Sequence, residues 1–291
     1  MKRIISSLLI LSAALCYASG FQTLRMAADS RTASMGFTAT SLTSTGASAY
    51  YNPATAADAH HELMFSLQNW IQDVQSRFVG YSKGNGASGW GSYLYYSEIA
   101  EIQHRLNPTI DPIAIFSAYD LAFGLAYGHR ITEDISLGVG AKLLYEKIYL
   151  NSAWGAAGDF GVTWSVIPGS FLLTGAVQNI GKASKHVNEA TDLPLINRAG
   201  AAFKHAVPFG SMMISAEGIK EKDTPLHWGF GCELLFQDYL FIRGGYQTGY
   251  EDRSVSGGFG LKYSHYGFDY SYAPFESGLG DASHFTLRIL W

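Results

Sequence analysis

Near the C-terminus, Asp281, Ser283 and His284 bring together the residue types of a hydrolytic triad, in which a base activates a hydroxyl nucleophile. Their spacing argues against that chemistry. Ser283 and His284 are adjacent, so on a strand they point to opposite faces, and nothing around them resembles the tight elbow that exposes a nucleophile. His60-His61 is the nearest approach to a metal motif. The same alternation splits the pair, and no Cys or spaced Asp/Glu completes a ligand set. It reads as a polar lead-in to the first strand. The pairs Gly244-Gly245 and Gly257-Gly258 are not phosphate loops, because no helix follows them; they read as strand glycines where another segment comes close. Cys232 reads as a small apolar residue on a strand. No catalytic residue, metal site or cofactor site is named, and the chain is read as a non-enzyme.

The other residues with chemical potential are isolated charges. Asp120, Lys142, Glu146, Asp159 and Glu233 are scattered through the body of the chain, and Arg25, Asp29, Arg31 and Asn52 lie near its N-terminus. Their chemistry is pairing, since an unpaired buried charge is costly. What places them is a period of two. From Ser117 to Ile131 the odd positions read Ser117, Tyr119, Leu121, Phe123, Leu125, Tyr127, His129 and Ile131, and the even ones Ala118, Asp120, Ala122, Gly124, Ala126, Gly128 and Arg130. Side chains alternate faces along a strand, so this is one long strand with an apolar side and a small or charged side. The pattern returns at Ile135–Glu146, Asp159–Val166, Leu226–Phe236, Val255–Tyr263 and His284–Trp291.

A soluble sandwich also alternates, but with a charged outside. Here the polar face is mostly Gly, Ala and Ser. Composition agrees: 15% of the 291 residues are charged, against about 25% in a soluble chain. Aromatics reach 14%, and there are 32 Gly. The net charge of -4 excludes a broad basic footprint, so no nucleic-acid partner is expected. After the N-terminal leader no stretch approaches the ~18 to 20 apolar residues of a membrane helix. Such a chain can still span a membrane as a closed barrel.

The expected fold is therefore all-β: a transmembrane antiparallel β-barrel of about fourteen strands. Strands are expected to start near Leu63, Gln75, Ala87, Phe116, Ile135, Trp154, Ser170, Leu195, Gly210, Pro225, Tyr239, Ser254, Tyr266 and Ser283. Very short connections, such as Pro168-Gly169 and Gln237-Asp238, alternate with longer ones at Glu98–Ile115, Gly181–Pro194, Lys220–Thr224 and Pro274–Ala282. Short periplasmic turns alternating with longer outer loops place both termini on the periplasmic side. Tyr119, Tyr145, Tyr149, Trp154, Tyr239 and Tyr263 fall near strand ends, as interfacial girdles require. Phe123 should face lipid and Gly124 the lumen, where Ser should be tolerated unless the plug packs on it.

The domain reading is a signal peptide at 1–20, a plug segment at 21–62 and the barrel at 63–291. Lys2 and Arg3 precede an apolar run to Tyr17, and Ala18-Ser19-Gly20 offers small residues for cleavage before Phe21. A lipoprotein anchor at Cys16 is disfavoured by Leu15 before it. The segment from Phe21 to His61 lacks alternation and is rich in small residues. A barrel this wide leaves a lumen that wall side chains alone do not fill. The segment is expected to fill it, with Arg25, Asp29, Arg31 and Asn52 meeting inward Asp120, Lys142, Glu146, Asp159 and Glu233.

Arg31-Thr32-Ala33-Ser34-Met35-Gly36 followed by Ala49-Tyr50-Tyr51-Asn52-Pro53-Ala54 resembles the N-terminal signature of the PorV/PorQ family. The similarity continues in order through Gly158-Asp159-Phe160-Gly161, Val177-Gln178-Asn179-Ile180-Gly181, Arg198-Ala199-Gly200, Arg243-Gly244-Gly245-Tyr246 and Phe268-Asp269-Tyr270-Ser271-Tyr272. That family comprises outer-membrane barrels of the type IX secretion system, related in fold to FadL-type transporters. The resemblance implies fourteen strands, a luminal N-terminal segment, and a place in the bacterial outer membrane, in contact with its lipid. It also implies secreted proteins or secretion-system subunits as partners, engaged at the outer loops. Ile110, Ile113, Ile115, Leu193, Leu195 and Phe275 would supply exposed apolar anchors there. The alternative is FadL-like uptake of hydrophobic small molecules. Uptake calls for an apolar pocket at the plug and a lateral gap in the wall; export calls for a gated lumen and an apolar surface at the loop end.

Overall fold

The computed structural model describes residues 20–42, 45–104, 112–186, 189–190, 192–222, 224–276 and 278–291. Fourteen strands close into one antiparallel barrel. In chain order they are β1 (Glu62–Asn69), β2 (Val74–Gly84), β3 (Ser88–His104), β4 (Ala114–Arg130), β5 (Ile135–Ile148), β6 (Asn151–Ile167) and β7 (Phe171–Ala183). A small hairpin of β8 (Lys185–His186) and β9 (Glu189–Ala190) stands apart from the wall. The wall resumes with β10 (Ile196–Val207), β11 (Gly210–Glu221), β12 (Leu226–Phe236), β13 (Leu240–Thr248), β14 (Val255–Tyr263), β15 (Tyr266–Pro274) and β16 (Asp281–Leu290). Each strand pairs with its neighbour, and β1 closes on β16 with Glu62 opposite Leu290 and Asn69 opposite Ser283. Among the described residues no helix is long and apolar enough to cross a membrane. The strands do so instead, which satisfies the backbone without water.

The alternation sets the two surfaces. Phe123, Leu125, Tyr127, Leu137, Val139, Leu143, Phe160 and Trp164 are exposed on the outside, while Ala122, Ala126, Lys142, Leu144 and Asp159 are buried inside. This outer surface belongs in lipid. Aromatic rings meet in a row at the loop end, with Tyr119 and Tyr145 centred 6.0 Å apart and Tyr145 and Trp154 4.5 Å apart.

Three expectations need correcting. The loop expected at Glu98–Ile115 is shorter, because β3 runs on to His104 through a bulge between Ile99 and Ile102. The loop expected at Gly181–Pro194 contains the end of β7 and the β8/β9 hairpin. Gly124 is not a tolerant position: a Cβ there would run into the ring of Tyr93 from the adjacent strand. The inner face of β2 and β3 carries three large rings, Phe78, Tyr93 and Tyr95, among its small residues.

The lumen is occupied by residues 21–42 and 45–59. A 3-10 turn (Gln22–Arg25) is followed by α1 (Ser30–Ser34), α2 (Ser48–Tyr51) and a second 3-10 helix (Pro53–Asp58). The pieces are short because the sequence punctuates them. Asp29 caps α1, accepting from the Thr32 amide at 2.9 Å. Asn52 caps the second 3-10 helix, with Pro53 at its first position. Helix α1 packs on β13 to β16, and the second 3-10 helix on β2 to β6.

Candidate functional site

On the β12–β1 side, the plug is clasped by charge. The Arg31 guanidinium donates to both oxygens of Glu233, at 2.9 and 2.8 Å. Glu233 also accepts from Arg243 Nε at 2.6 Å, and Arg243 Nη1 donates to Asp269 at 2.6 Å. Asp269 accepts from Arg288 at 2.7 Å, and Arg288 faces Glu62 at 3.8 Å. The row ends where Glu62 accepts from the Gly46 amide of the plug at 2.8 Å. Plus and minus alternate through six side chains, so the row is neutral. Burial strengthens each pair, and the pairing offsets the desolvation that burial costs.

On the β2–β6 side the plug is fitted by shape. Cβ atoms at Gly138 and Gly161 would collide with Ala54 and Asn52 of the plug, so glycine is what lets the turn lie on the wall. Above it, the Tyr50 ring packs edge-on against Phe78, Tyr93 and Tyr95, with centroids 5.9, 5.3 and 5.5 Å away. The Tyr50 hydroxyl donates to the carbonyls of Thr23 and Met26. Burial pushes the phenols of Tyr50 and Tyr51 up, so both remain donors.

The remaining expected contacts fall as follows. Lys142 pairs with Asp159 at 2.9 Å and donates to Asn179, a contact within the wall at the β6/β7 bulge. Asp120 accepts from the Thr23 hydroxyl at 3.1 Å, and Glu146 from the Phe21 nitrogen at 3.0 Å. Arg25 meets Glu221, which was not among the expected partners. Asp29 meets no wall charge; it caps α1 and accepts from the Tyr51 hydroxyl at 3.0 Å. Asn52 accepts from the Ala54 amide at 3.1 Å and lies 3.4 Å from the Val162 carbonyl. Sequence reasoning missed Arg198 and Glu217, which pair at 2.8 Å, with Thr40 of the plug donating to Glu217. It also missed Arg243, Asp269, Arg288 and Glu62. The signal was present, since each is a charged residue at an inward position of its strand.

His61 stacks on Trp291 and meets the Tyr81 hydroxyl at 2.8 Å, and no group of metal-ligating side chains occurs among the described residues. His284 is buried beside Trp70, and neither ring nitrogen has a hydrogen-bond partner. The inward members of the glycine pairs, Gly245 and Gly258, face Gly36 and Ser34 of the plug, whereas Gly244 and Gly257 have open space or ordinary contact. Of the expected apolar anchors, Ile113 and Ile115 are 60% and 63% exposed. Both continue the outward row of β4. Leu193 and Phe275 are buried, at 6% and 9%. Phe275 packs on Trp70 at 5.0 Å. Leu195 is half-buried, and Ile110 lies outside the described residues.

Three openings flank the plug, one of them a cleft of about 450 Å³ between Arg25 and Phe37 of the plug and Ile219 and His227 of the wall. At the loop end a cleft of about 420 Å³ is lined by Met26 of the plug with Trp70, Ile71, Val74, Ile99 and Ile148, and by the charged Arg25, Glu98, Asp120 and Glu146. Arg253 stands at its edge, its guanidinium 4.1 Å from the Tyr250 ring centre, 4.8 Å from Phe37 and 5.5 Å from Trp70. At the turn end a cleft of about 360 Å³ holds Asp58, Arg130, Asp134 and Lys204. On the lipid side a shallow apolar groove formed by Leu137, Val139, Phe160, Val162 and Val177 overlies Gly138 and Gly161.

No protein-family model matches the chain, and no curated protein matches it in sequence. Solved structures do match in fold. The toluene transporter TodX of Pseudomonas putida superimposes with a TM-score of 0.63 at 11% identity, over 89% of this chain and 96% of TodX. The monoaromatic hydrocarbon channel CymD superimposes with a TM-score of 0.60 at 11% identity, over 90% of this chain and 96% of CymD. The architecture is that of the outer-membrane β-barrels.

Proposed function

We propose that the protein is an outer-membrane channel for small apolar molecules, with the plug as its closed gate. The observation that carries this reading is the loop-end cleft. Its volume falls in the range of small-molecule sites, ~300 to 1,000 Å³. Its wall joins an apolar strip of Trp70, Ile71, Val74, Ile99 and Ile148 to a charged one that includes Asp120 and Glu146, and its inner end is Met26, a plug residue in contact with the tyrosine cluster. A molecule bound there touches the gate. The printed names of TodX and CymD support the substrate class. The groove over Gly138 and Gly161 supplies a second element of the reading. There only plug backbone and Asn52 stand behind the wall glycines, so a shift of that turn would thin the wall toward lipid. The wall itself is closed in this state.

The export reading implied by the PorV/PorQ resemblance draws less from the geometry, since Leu193 and Phe275 are turned into the protein and Ile113 and Ile115 extend the lipid-facing row. The test uses a naphthylamine fluorophore and the detergent-solubilised barrel. Saturable binding, displaced by a monoaromatic hydrocarbon, is expected. Trp70→Ala with Ile71→Ser should weaken it tenfold or more, which corresponds to about 1.4 kcal/mol. Unsaturable binding, together with exported proteins recovered by affinity capture from membranes, would replace this reading with the export one.

A further inference from the structure

The carboxylates of the lumen are nearly all answered by cations. Glu217, Glu233, Asp159 and Asp269 each face an Arg or Lys within 3 Å. Within the plug Asp29 is held by the Thr32 amide and the Tyr51 hydroxyl instead; on the wall Asp120 and Glu146 are the exception. They lie side by side in register on β4 and β5, near the loop end. Among the described residues, no Lys, Arg or His nitrogen lies within 4 Å of either. What lies there is the start of the plug. The Phe21 nitrogen is 3.0 Å from Glu146 Oε1, in a buried contact. The Thr23 amide and hydroxyl reach Asp120 at 3.4 and 3.1 Å. Phe21 is fully buried, and its φ of 59° is a left-handed conformation that Phe rarely adopts.

We propose that Phe21 is the first residue of the mature protein and that its free α-ammonium is the missing cation of the Asp120/Glu146 pair. Hydrolysis of the Gly20–Phe21 bond by a signal peptidase adds hydroxyl from water to the Gly20 carbonyl and a proton to the Phe21 nitrogen. At neutral pH that nitrogen takes a further proton. One neutral N–H donor becomes a charged group with three donors, enough for Glu146 and Asp120 together. The φ torsion of Phe21 is defined by the Gly20 carbonyl, so cleavage also removes the strained torsion. The small residues before Phe21 suit such a cleavage. Removal of the leader and anchoring of the plug to the loop end of the wall are then one event.

The experiment compares two full mature chains, released by a protease to start at Phe21 or at Gly20, and refolded into detergent micelles. The longer chain keeps the Phe21 amide but moves the ammonium one residue away. Intact mass of the protein from native membranes should correspond to residues 21–291. The Phe21 chain should unfold in urea at least tenfold more slowly than the Gly20 chain. The gap should close in Asp120→Asn/Glu146→Gln, or in Asp120→Asn alone where the double variant does not refold. A native chain that starts elsewhere, equal unfolding of the two chains, or a gap that persists in the variants would overturn the proposal. None of these readouts depends on what passes through the barrel.

Discussion

The two sides of the lumen hold the same plug by different physics. From β12 round to β1 the contact is a row of alternating charges that begins at Arg31 and ends at the Gly46 amide. From β2 to β6 it is chiefly backbone on glycine and ring on ring, with charge confined to its two ends, where Asp120 and Glu146 accept from the first residues of the plug and Arg130 meets Asp58. A buried ion row demands one register, because any slip leaves a charge unanswered. A surface of glycines and rings tolerates small displacements, each of which costs only packing. The charged side therefore reads as the fixed anchor of the plug, and the glycine side as the part that can give way. The apolar groove lies over the second side.

Breaking the anchor should have the larger effect. Arg243→Met leaves Glu233 and Asp269 buried with one partner each fewer, and should cost about 3 to 5 kcal/mol in urea unfolding. Adding Glu233→Gln and Asp269→Asn should return part of that loss; no recovery would mean that packing, and not charge, fixes this side. Crowding the yielding side should cost less. Gly138→Ala drives a methyl group into the plug backbone at Pro53 and Ala54. It should cost about 1 to 3 kcal/mol and raise ion leakage in planar bilayers, whereas Arg243→Met should leave leakage at Gly138 unchanged until the plug unfolds.

The strands were legible in the sequence because period two is a local property: all fourteen expected starts lie within three residues of the observed ones. The lumen was legible only in part. Glu233 could be read as inward from its own strand, and Arg31 as a charge with nowhere else to go. That Arg25 reaches Glu221 and Thr40 reaches Glu217 depends on how far each turn of the plug descends, which no periodicity encodes. Asp29 misled for a different reason. An Asp before Ser-Arg-Thr is also a helix cap, and the cap won. Phe78, Tyr93 and Tyr95 reversed the usual polarity of the inner face because the plug presents Tyr50 to them.

The smallest expected effect sharpens the same comparison. Tyr50→Phe removes a hydroxyl from the glycine and ring side and leaves two plug carbonyls without their donor, a loss of about 1 kcal/mol. Its pH signature has a definite sign. Burial holds the Tyr50 and Tyr51 phenols above their usual value, while the unfolded chain releases those protons near pH ~10. Stability on this side should fall above that pH, and the fall should be shallower in Tyr50→Phe. An unchanged slope would assign the alkaline loss to other groups.

The seam between β1 and β16 is bridged by the plug from within. It joins Glu62 to Leu290, nearly the full length of the wall apart in sequence. Bringing such distant ends together is entropically expensive and slow, and until it happens both strands present unpaired edges. The plug reaches both sides of that seam. Its Gly46 amide binds Glu62 of β1, and its Ser30 amide binds Thr286 of β16 at 2.9 Å. Through Ser30 and Arg31 it is also tied to β15 and β12. In the closed barrel the segment that fills the lumen is thus also an internal splint, tying the opening strand to the closing one from the inside.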